Sequence, residues 1–422
     1  MRERRWQDVA RATGLIRPDG AVAATIFAEM SALATRTGAV NLGQGFPDVD
    51  GPAHVRDAAV AAILAGHNQY PPGPGIPQLR EAVAAHQRRH YGLEVDPETE
   101  VLVTAGATEA IAAAVLALAG PGDEVVTLEP YYDSYAATIA LAGATHRTVP
   151  LRPGPDGFHL DPADVAAAFT DRTRLVLVNS PHNPTGTVLT REELTLLGEH
   201  ARARGAVVVT DEVYEHLTFG AEHVPMATLP GMAGHTLTIS SAGKTLSFTG
   251  WKVGWMHGPA ELVTAVRTVK QFLTYVASGP FQHAVATALA DEDGRTGAYV
   301  AGLAESLRER RDTLVEALSA AGLAPVVPRG TYFVVADGAG LGYDDAVELC
   351  RDLPARAGVV AIPVSAFCTP GGPVAEQLRS WVRLTFVKSP DVLARAAEGL
   401  RRLRAEAGPD GRSGLDRSAI PE

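Results

Sequence analysis

The sequence has few cysteines, no long apolar run and no excess of basic residues, and each of these absences excludes a class of protein. Cys350 and Cys368 are the only cysteines in 422 residues, so neither a disulfide framework nor a zinc-module spacing is possible. No apolar run is long enough to cross a bilayer, and the basic start at residues 2–8 lacks the apolar segment of a secretory signal. The net charge of −11 argues against nucleic acid as a main partner. We therefore expect a cytoplasmic protein with no metal site and no nucleic-acid or membrane partner.

The composition is that of a globular protein longer than one ordinary domain. Hydrophobic residues make up 46% of the chain and charged residues 20%. We predict a large domain over residues 52–295 and a small domain formed by residues 1–51 and 296–407. Residues 408–422 are rich in Gly, Asp, Arg and Ser, which predicts a disordered tail.

Strand-like apolar runs alternate with alanine-rich helical runs over residues 101–210. The predicted strands are residues 101–104, 124–128, 174–179, 206–210 and 236–239. This alternation predicts an α/β fold with a mostly parallel central sheet covered by helices on both faces. Beyond Pro259 helical patterns dominate, and short strands at 330–335 and 380–386 predict a small α+β domain. In the N-terminal segment one helix is predicted, at residues 26–35.

Polar residues follow several of these strands, at the sheet edge where ligands of such folds bind. Gly106-Ala107-Thr108 stands between a strand and a helix, which is compatible with a plain helix cap or with a phosphate held by backbone N–H groups. Asn183 lies in a rigid, proline-rich turn that could hold its amide for an orienting hydrogen bond. Asp211 follows a buried strand, and a buried carboxylate needs a partner such as a protonated pyridine nitrogen.

Lys244 follows another strand and is the least usual residue of the group. Bulky neighbours would shield it from water, and Lys252 supplies a second cation, so its amine is suited to attack an aldehyde. The plain alternative is a surface lysine on a loop. The chemical interpretation requires the other parts of a cofactor site.

Those parts are present, and jointly they resemble the class I and II aminotransferases over nearly the whole chain. The matching segments are residues 43–48 (GQGFPD), 70–75 (YPPGPG), 183–186 (NPTG), 211–214 (DEVY), 241–244 (SAGK) and 383–386 (RLTF). The resemblance implies an enzyme of fold type I that uses pyridoxal 5′-phosphate to transfer an amino group from an amino acid to a 2-oxo acid. It also implies a homodimer.

The resemblance further implies a role for each matching residue. Lys244 would form the Schiff base with the cofactor, Asp211 would pair with the ring nitrogen, and Arg383 would bind the substrate carboxylate. The other implied contacts are Asn183 and Tyr214 on the ring oxygen, Tyr132 on the ring face, Gly45 and Asn183 at the substrate, Tyr70 on the phosphate of the partner subunit, and Gly106, Ala107, Thr108, Ser241 and Lys252 on the phosphate. Many family members have arginine at position 252, and lysine there is similar to the kynurenine and glutamine transaminase branch.

For the substrate, residues 27–34, 68–75 and 129–135 look most like the N-succinyldiaminopimelate aminotransferases of actinobacterial lysine biosynthesis, which use glutamate and 2-oxoglutarate. One alternative is a broad kynurenine, glutamine or methionine transaminase, or a cysteine-conjugate β-lyase. Another is a non-catalytic regulator on the same scaffold. The regulator is disfavoured because Lys244, Asp211 and Arg383 are all present and no basic domain precedes Gly43.

Overall fold

The computed structural model describes residues 5–17, 19–154 and 156–406. The helices are α1 (Arg5–Ala12), α2 (Ile26–Thr37), α3 (Ala53–Leu64), α4 (Pro77–Tyr91), α5 (Gly106–Leu118), α6 (Asp133–Ala142), α7 (Pro162–Ala168), α8 (Arg191–Arg202), α9 (Ala242–Thr245), α10 (Ala260–Lys270), α11 (Gly279–Ala290), α12 (Arg295–Ala321), α13 (Ala346–Ala357), α14 (Pro373–Gln377) and α15 (Pro390–Glu406). The strands are β1 (Val40–Asn41), β2 (Val101–Thr104), β3 (Glu124–Glu129), β4 (Thr145–Gly154), β5 (Gly157–Leu160), β6 (Thr173–Asn179), β7 (Val207–Asp211), β8 (Thr236–Ser241), β9 (Gly254–His257), β10 (Ala324–Val326), β11 (Phe333–Asp337), β12 (Val359–Val360), β13 (Ile362–Pro363) and β14 (Trp381–Thr385). The predicted tail at 408–422 lies outside the described residues.

An eight-stranded sheet runs in the order β2-β9-β8-β7-β6-β3-β4-β5. The pairs β4/β3, β3/β6, β6/β7 and β7/β8 are parallel, whereas β9 is antiparallel to both of its neighbours and β5 is antiparallel at one edge. Every residue of β3, β8 and β9 is buried, as expected for strands covered on both faces. The predicted α/β fold with a mostly parallel central sheet is confirmed.

A second, antiparallel sheet has the order β10-β11-β14-β13, and β1 pairs with β12 in a short parallel ladder. Its strands share one apolar core with α2, α12, α13 and α15, while α1 packs against α6 beside the large sheet. The division into two domains stays a prediction.

No helix in the described part of the chain combines the length and the hydropathy that crossing a bilayer requires.

Some elements were not predicted from the sequence. The helix α1 has only eight residues and the hairpin β4–β5 has few apolar residues, so neither gives a long periodic pattern. The strand β9 has four residues and follows a Gly-Trp-Lys-Val turn, so its sequence resembles a loop. Lys244, expected on a tight connection, lies in α9, directly after β8.

The close approach of α15 to α13 at Gly399 gives a testable stability prediction. A Cβ at Gly399 would overlap the carbonyl oxygen of Ala357. We expect Gly399→Ala to lower the free energy of unfolding by about 1–3 kcal/mol, because overpacking outweighs the gain in helix propensity. The matched control is Gly302→Ala in α12, where nothing lies near the added methyl group and up to about 1 kcal/mol of stabilisation is expected.

Thermal unfolding at a fixed protein concentration measures both variants. If Gly399→Ala were as stable as Gly302→Ala, this would show that α13 and α15 can move apart without loss of packing.

Candidate active site

A cavity of about 430 Å³ opens at the carboxyl ends of β6, β7 and β8. The predicted site residues that line it are Gly45, Gly106, Ala107, Thr108, Tyr132, Asn183, Asp211, Tyr214, Ser241, Lys244, Lys252 and Arg383. They come together because parallel strands present their carboxyl ends at one edge, to which the second sheet adds Arg383 from β14. The volume is in the range of small-molecule sites.

Tyr70 is the predicted site residue that the structure does not bring to this cavity. Its side chain is 81% exposed, and its ring packs edge to face on Tyr275 with centroids 5.5 Å apart. The role implied for it needs a second subunit, so that role stays a prediction.

Lys244 is half-buried and points at a tyrosine that the sequence analysis did not identify. Its Nζ donates to the Tyr332 hydroxyl over 2.9 Å, and that hydroxyl donates to the Gly45 carbonyl oxygen over 2.6 Å. Nζ also lies 5.7 Å from the centre of the Tyr214 ring. This chain of hydrogen bonds and the aromatic walls fix the amine at the cavity wall.

Asp211 is the last residue of β7, and its carboxylate is buried. Its Oδ2 accepts a hydrogen bond from the Tyr135 hydroxyl over 2.6 Å, and the Val213 N–H approaches Oδ1 at 3.5 Å. Burial raises the pKa of Asp211 to about 6, although these bonds and the charge of Lys244 oppose the rise. Burial also keeps the pKa of Tyr135 well above its usual value, so the hydroxyl remains a donor. The carboxylate is therefore suited to a cationic partner.

The opposite end of the cavity is suited to an anion. Gly106 begins α5 with a φ of +79°, and a Cβ placed on it would lie 3.2 Å from the Lys252 Nζ. A Cβ on Gly254 would lie 2.6 Å from the carbonyl carbon of Gly106, so these two backbones touch. The N–H groups and positive dipole end of α5, the Lys252 amine and the Ser241 hydroxyl together form a donor-rich part of the cavity lining.

Arg383 is buried between two aromatic rings. Its Nη1 donates to Asn183 Oδ1 over 3.0 Å and its Nη2 to the Gly43 carbonyl over 2.7 Å, while Nε has no partner among the described residues. Its Cζ lies 4.0 Å from the Phe333 ring centre and 4.4 Å from that of Phe367. Burial lowers its pKa to about 10, which leaves it cationic at neutral pH. Such a guanidinium can bind a carboxylate at the cavity wall.

Asp133 also lines the cavity, and the sequence analysis did not single it out. It is the first residue of α6, and burial raises the pKa of its carboxyl group while the charge of Arg383 opposes that rise. Tyr332, Tyr135 and Asp133 could be missed because each acts through a contact with a residue distant in sequence.

Comparison with known proteins gives a consistent result. The family described as "Aminotransferase class I and II" matches residues 37–400. The solved structure of N-succinyldiaminopimelate aminotransferase from Mycobacterium tuberculosis is 56% identical, with a TM-score of 0.86 over 90% of this chain and 97% of that chain.

Two further relatives have other activities in their names. Methionine aminotransferase of Escherichia coli is 41% identical over 380 residues, covering 90% of this chain and 96% of the relative. Kynurenine–oxoglutarate transaminase of Dictyostelium discoideum is 37% identical over 414 residues, covering 90% of this chain and 94% of the relative. The resemblance stated from the sequence motifs is thus confirmed, and the chain belongs to the class I and II aminotransferases, which are pyridoxal-phosphate-dependent enzymes.

Proposed function

We propose that this aminotransferase exchanges the amino group between N-succinyl-LL-2,6-diaminopimelate and 2-oxoglutarate, in lysine biosynthesis. The observation that supports this substrate best is the 56% identity, over nearly the full length of both chains, to the M. tuberculosis enzyme of that name. The methionine aminotransferase at 41% identity supports a second candidate, a transaminase of broader specificity.

The donor-rich end of the cavity fits the phosphate of the cofactor. Gly106, Ala107 and Thr108 offer backbone N–H groups at the start of α5, and Ser241 and Lys252 add a hydroxyl and an amine. These groups are donors or cations, as a phosphate dianion requires. We infer that these N–H groups, the hydroxyl and the amine bind the cofactor phosphate.

The buried end fits the cofactor ring. When bound, pyridoxal phosphate supplies an aldehyde that condenses with amines and a protonated ring that withdraws electrons from the substrate Cα. Asp211 would hold a proton on the ring nitrogen, since an anionic carboxylate next to that nitrogen stabilises its charged form. Asn183 and Tyr214 would donate to the ring oxygen, and Tyr132 would cover the ring face.

Lys244 would supply the amine that tethers the cofactor and then moves a proton. When it is free, Nζ would act as the general base and acid that removes and returns the proton at the substrate Cα. The Tyr332 hydroxyl, 2.9 Å from Nζ and itself anchored on Gly45, would hold the amine in position. We infer that Tyr332 is a positioning residue.

Arg383 would bind the α-carboxylate of either substrate. The planar guanidinium can donate to both carboxylate oxygens, and the Phe333 and Phe367 rings prevent it from turning away. Among the described residues that line the cavity, the cationic side chains are Lys244, Lys252 and Arg383. Since each has a role in this proposal, the distal succinyl carboxylate requires a neutral donor or a group from a second subunit.

A second subunit is supported by the exposed aromatic surface around Tyr70. Phe272 is 85% exposed and Tyr275 is 40% exposed, although both are large apolar side chains. The Lys270 Nζ donates to the backbone carbonyls of Gly73 and Tyr275, which ties the segment after Tyr70 to this aromatic patch. An exposed apolar patch of this kind is typical of an interface. We infer a two-fold homodimer in which Tyr70 reaches the neighbouring cavity.

We also infer a cytoplasmic location. Cys350 and Cys368 are free and buried, in keeping with a reducing compartment. The net charge of −11 favours solubility.

The substrate proposal is tested by single-turnover mixing of cofactor-loaded enzyme with one amino acid at a time, following loss of the visible absorption band of the bound cofactor. We expect fast conversion with N-succinyl-LL-diaminopimelate and glutamate, and slow conversion with kynurenine and methionine. Fast conversion with kynurenine or methionine, but not with the succinylated diamine, would replace the proposed substrate by the broader specificity.

The control variant for that experiment is Lys244→Ala, which removes the amine while leaving the phosphate and carboxylate contacts in place. We expect it to bind the cofactor and to show no conversion with any of the four amino acids, because the proton carrier is lost. Wild-type turnover in this variant would refute the role of Lys244.

Asp211 gives a prediction that is separate from activity. The pKa of Asp211 in the folded protein is raised to about 6 from an ordinary 3.8. The protonated carboxyl group therefore stabilises the folded protein at low pH, and this stabilisation is lost as the pH rises through 6. In cofactor-free protein, Asp211→Asn should therefore be more stable than wild type at pH 8. This advantage should be smaller by about 1 kcal/mol at pH 5.

Thermal unfolding of both cofactor-free proteins at the two pH values measures this difference, and the variant should have little transaminase activity. An equal stability difference at pH 5 and pH 8 would mean that the Asp211 carboxyl does not titrate between them.

The dimer is tested by sedimentation of the cofactor-loaded enzyme, where we expect twice the 44.2 kDa chain mass. Phe272→Asp should dissociate the dimer, because it places a charge in the aromatic patch. The matched control is Val327→Asp, at a position that is 49% exposed and outside the patch, which should leave the mass unchanged. A fully active monomer would contradict the inferred role of Tyr70.

A further inference from the structure

Three histidine side chains meet at the surface, outside the cavity described above. His86 and His90 are one helical turn apart on α4, and His216 lies in the connection after β7. Their ring centroids are 4.5 Å (His86–His90), 5.0 Å (His86–His216) and 4.9 Å (His90–His216) apart. One ring nitrogen of each histidine lies within 4.8 Å of the corresponding nitrogens of the other two. We call these three residues the histidine cluster.

The nitrogen–nitrogen distance between His86 and His216 is close to that of a metal centre. In a tetrahedral zinc site with Zn–N bonds of about 2.0–2.1 Å, the ligand nitrogens are about 3.3 Å apart. Nε2 of His86 and Nε2 of His216 are 2.8 Å apart, so a displacement of a few tenths of an ångström would bring this pair to that spacing. Without a metal ion, one of these two nitrogens must donate a hydrogen to the other.

Gln87 provides a partner for the ring nitrogen of His86 that faces away from the cluster. Its side-chain amide lies 3.3 Å from His86 Nδ1, while its Oε1 is buried and has no hydrogen-bond partner in the described structure. Rotating the Gln87 amide by half a turn would place its Oε1 next to His86 Nδ1. The Nδ1–H group would then donate its hydrogen to Oε1. That tautomer leaves the Nε2 lone pair free, as in metal-ligating histidines whose other ring nitrogen is fixed by an outer partner.

A buried carboxylate next to the cluster can offset the charge of a cation. Glu215 Oε2 lies 3.9 Å from His216 Nε2, and Glu215 accepts hydrogen bonds of 2.6 Å from Tyr91 and from Ser240. Arg89 donates through both Nη atoms to backbone carbonyls at the end of α11, and its Nε donates to His90 Nε2 over 3.5 Å, a contact that a metal ion on that nitrogen would replace.

We propose that His86, His90 and His216 bind one Zn²⁺ ion per chain, with a water molecule as the fourth ligand. Imidazole is a favoured zinc ligand, and three histidines with an open position form a recognised zinc coordination pattern. His86 is buried and His90 is exposed, so an ion could enter from solvent. A bound ion would link α4 to the connection that follows Asp211 and carries Tyr214, so zinc would stiffen one wall of the active site.

Zinc titration of the cofactor-loaded full-length enzyme by calorimetry tests this proposal, together with zinc-edge anomalous diffraction of zinc-soaked crystals. We expect one ion per chain and an anomalous peak between the three histidines. His90→Ala should weaken zinc binding at least about 10-fold. Loss of an outer partner of a metal ligand already weakens metal binding by about this factor, and His90 would be a direct ligand. Its amino-transfer rate in zinc-free buffer should match wild type, which shows that the variant folds.

The matched control is His67→Ala. His67 is also exposed and stacks on another histidine, His283, with centroids 3.9 Å apart, but this pair has no third member among the described residues. His67→Ala should bind zinc as wild type does. Absence of zinc binding by the wild type, equal binding by His90→Ala and wild type, or an anomalous peak only at another position would each overturn the proposal.

Discussion

A buried guanidinium must find hydrogen-bond acceptors, and Arg383 finds them in two other parts of the chain. It extends from β14 of the small sheet to Asn183 beyond β6 of the large sheet and to the Gly43 carbonyl of the N-terminal segment. Removing a charge from water is costly unless such partners are present. The relative position of the two sheets at the cavity is therefore coupled to the bonding of one side chain. The same side chain lines the cavity.

The cavity separates opposite charges in a way that suits an elongated zwitterionic ligand. Lys252 and the start of α5 provide positive potential at one part of the cavity wall, and the Asp211 carboxylate provides negative potential at another. Lys244 also lines the cavity, and its amine is held by Tyr332. Such preorganised charges lower stability in the empty protein and stabilise what binds there, so function and fold stability are opposed at Asp211.

Most of the fold and of the site could be predicted from the sequence because the relevant signals are local. Asp211 ends β7 and Lys244 closely follows β8, and both strands begin with apolar or β-branched residues, so strand prediction also located these two side chains. Tyr332 and Tyr135 were missed because their bonds join residues far apart in sequence. The strand β9 was missed because four residues next to a glycine-rich turn carry too short a pattern. The histidine cluster could not be predicted either, since His216 lies far along the chain from α4.

The contact between Gly106 and Gly254 limits how this site can change during evolution. A side chain at position 254 would displace the first turn of α5, and one at position 106 would meet the amine of Lys252. Substitutions at these two positions would therefore disturb the backbone or the lysine at this part of the cavity. Variation is better tolerated at Thr108, Ser241 or Lys252, whose side chains can change while the glycine backbone stays the same.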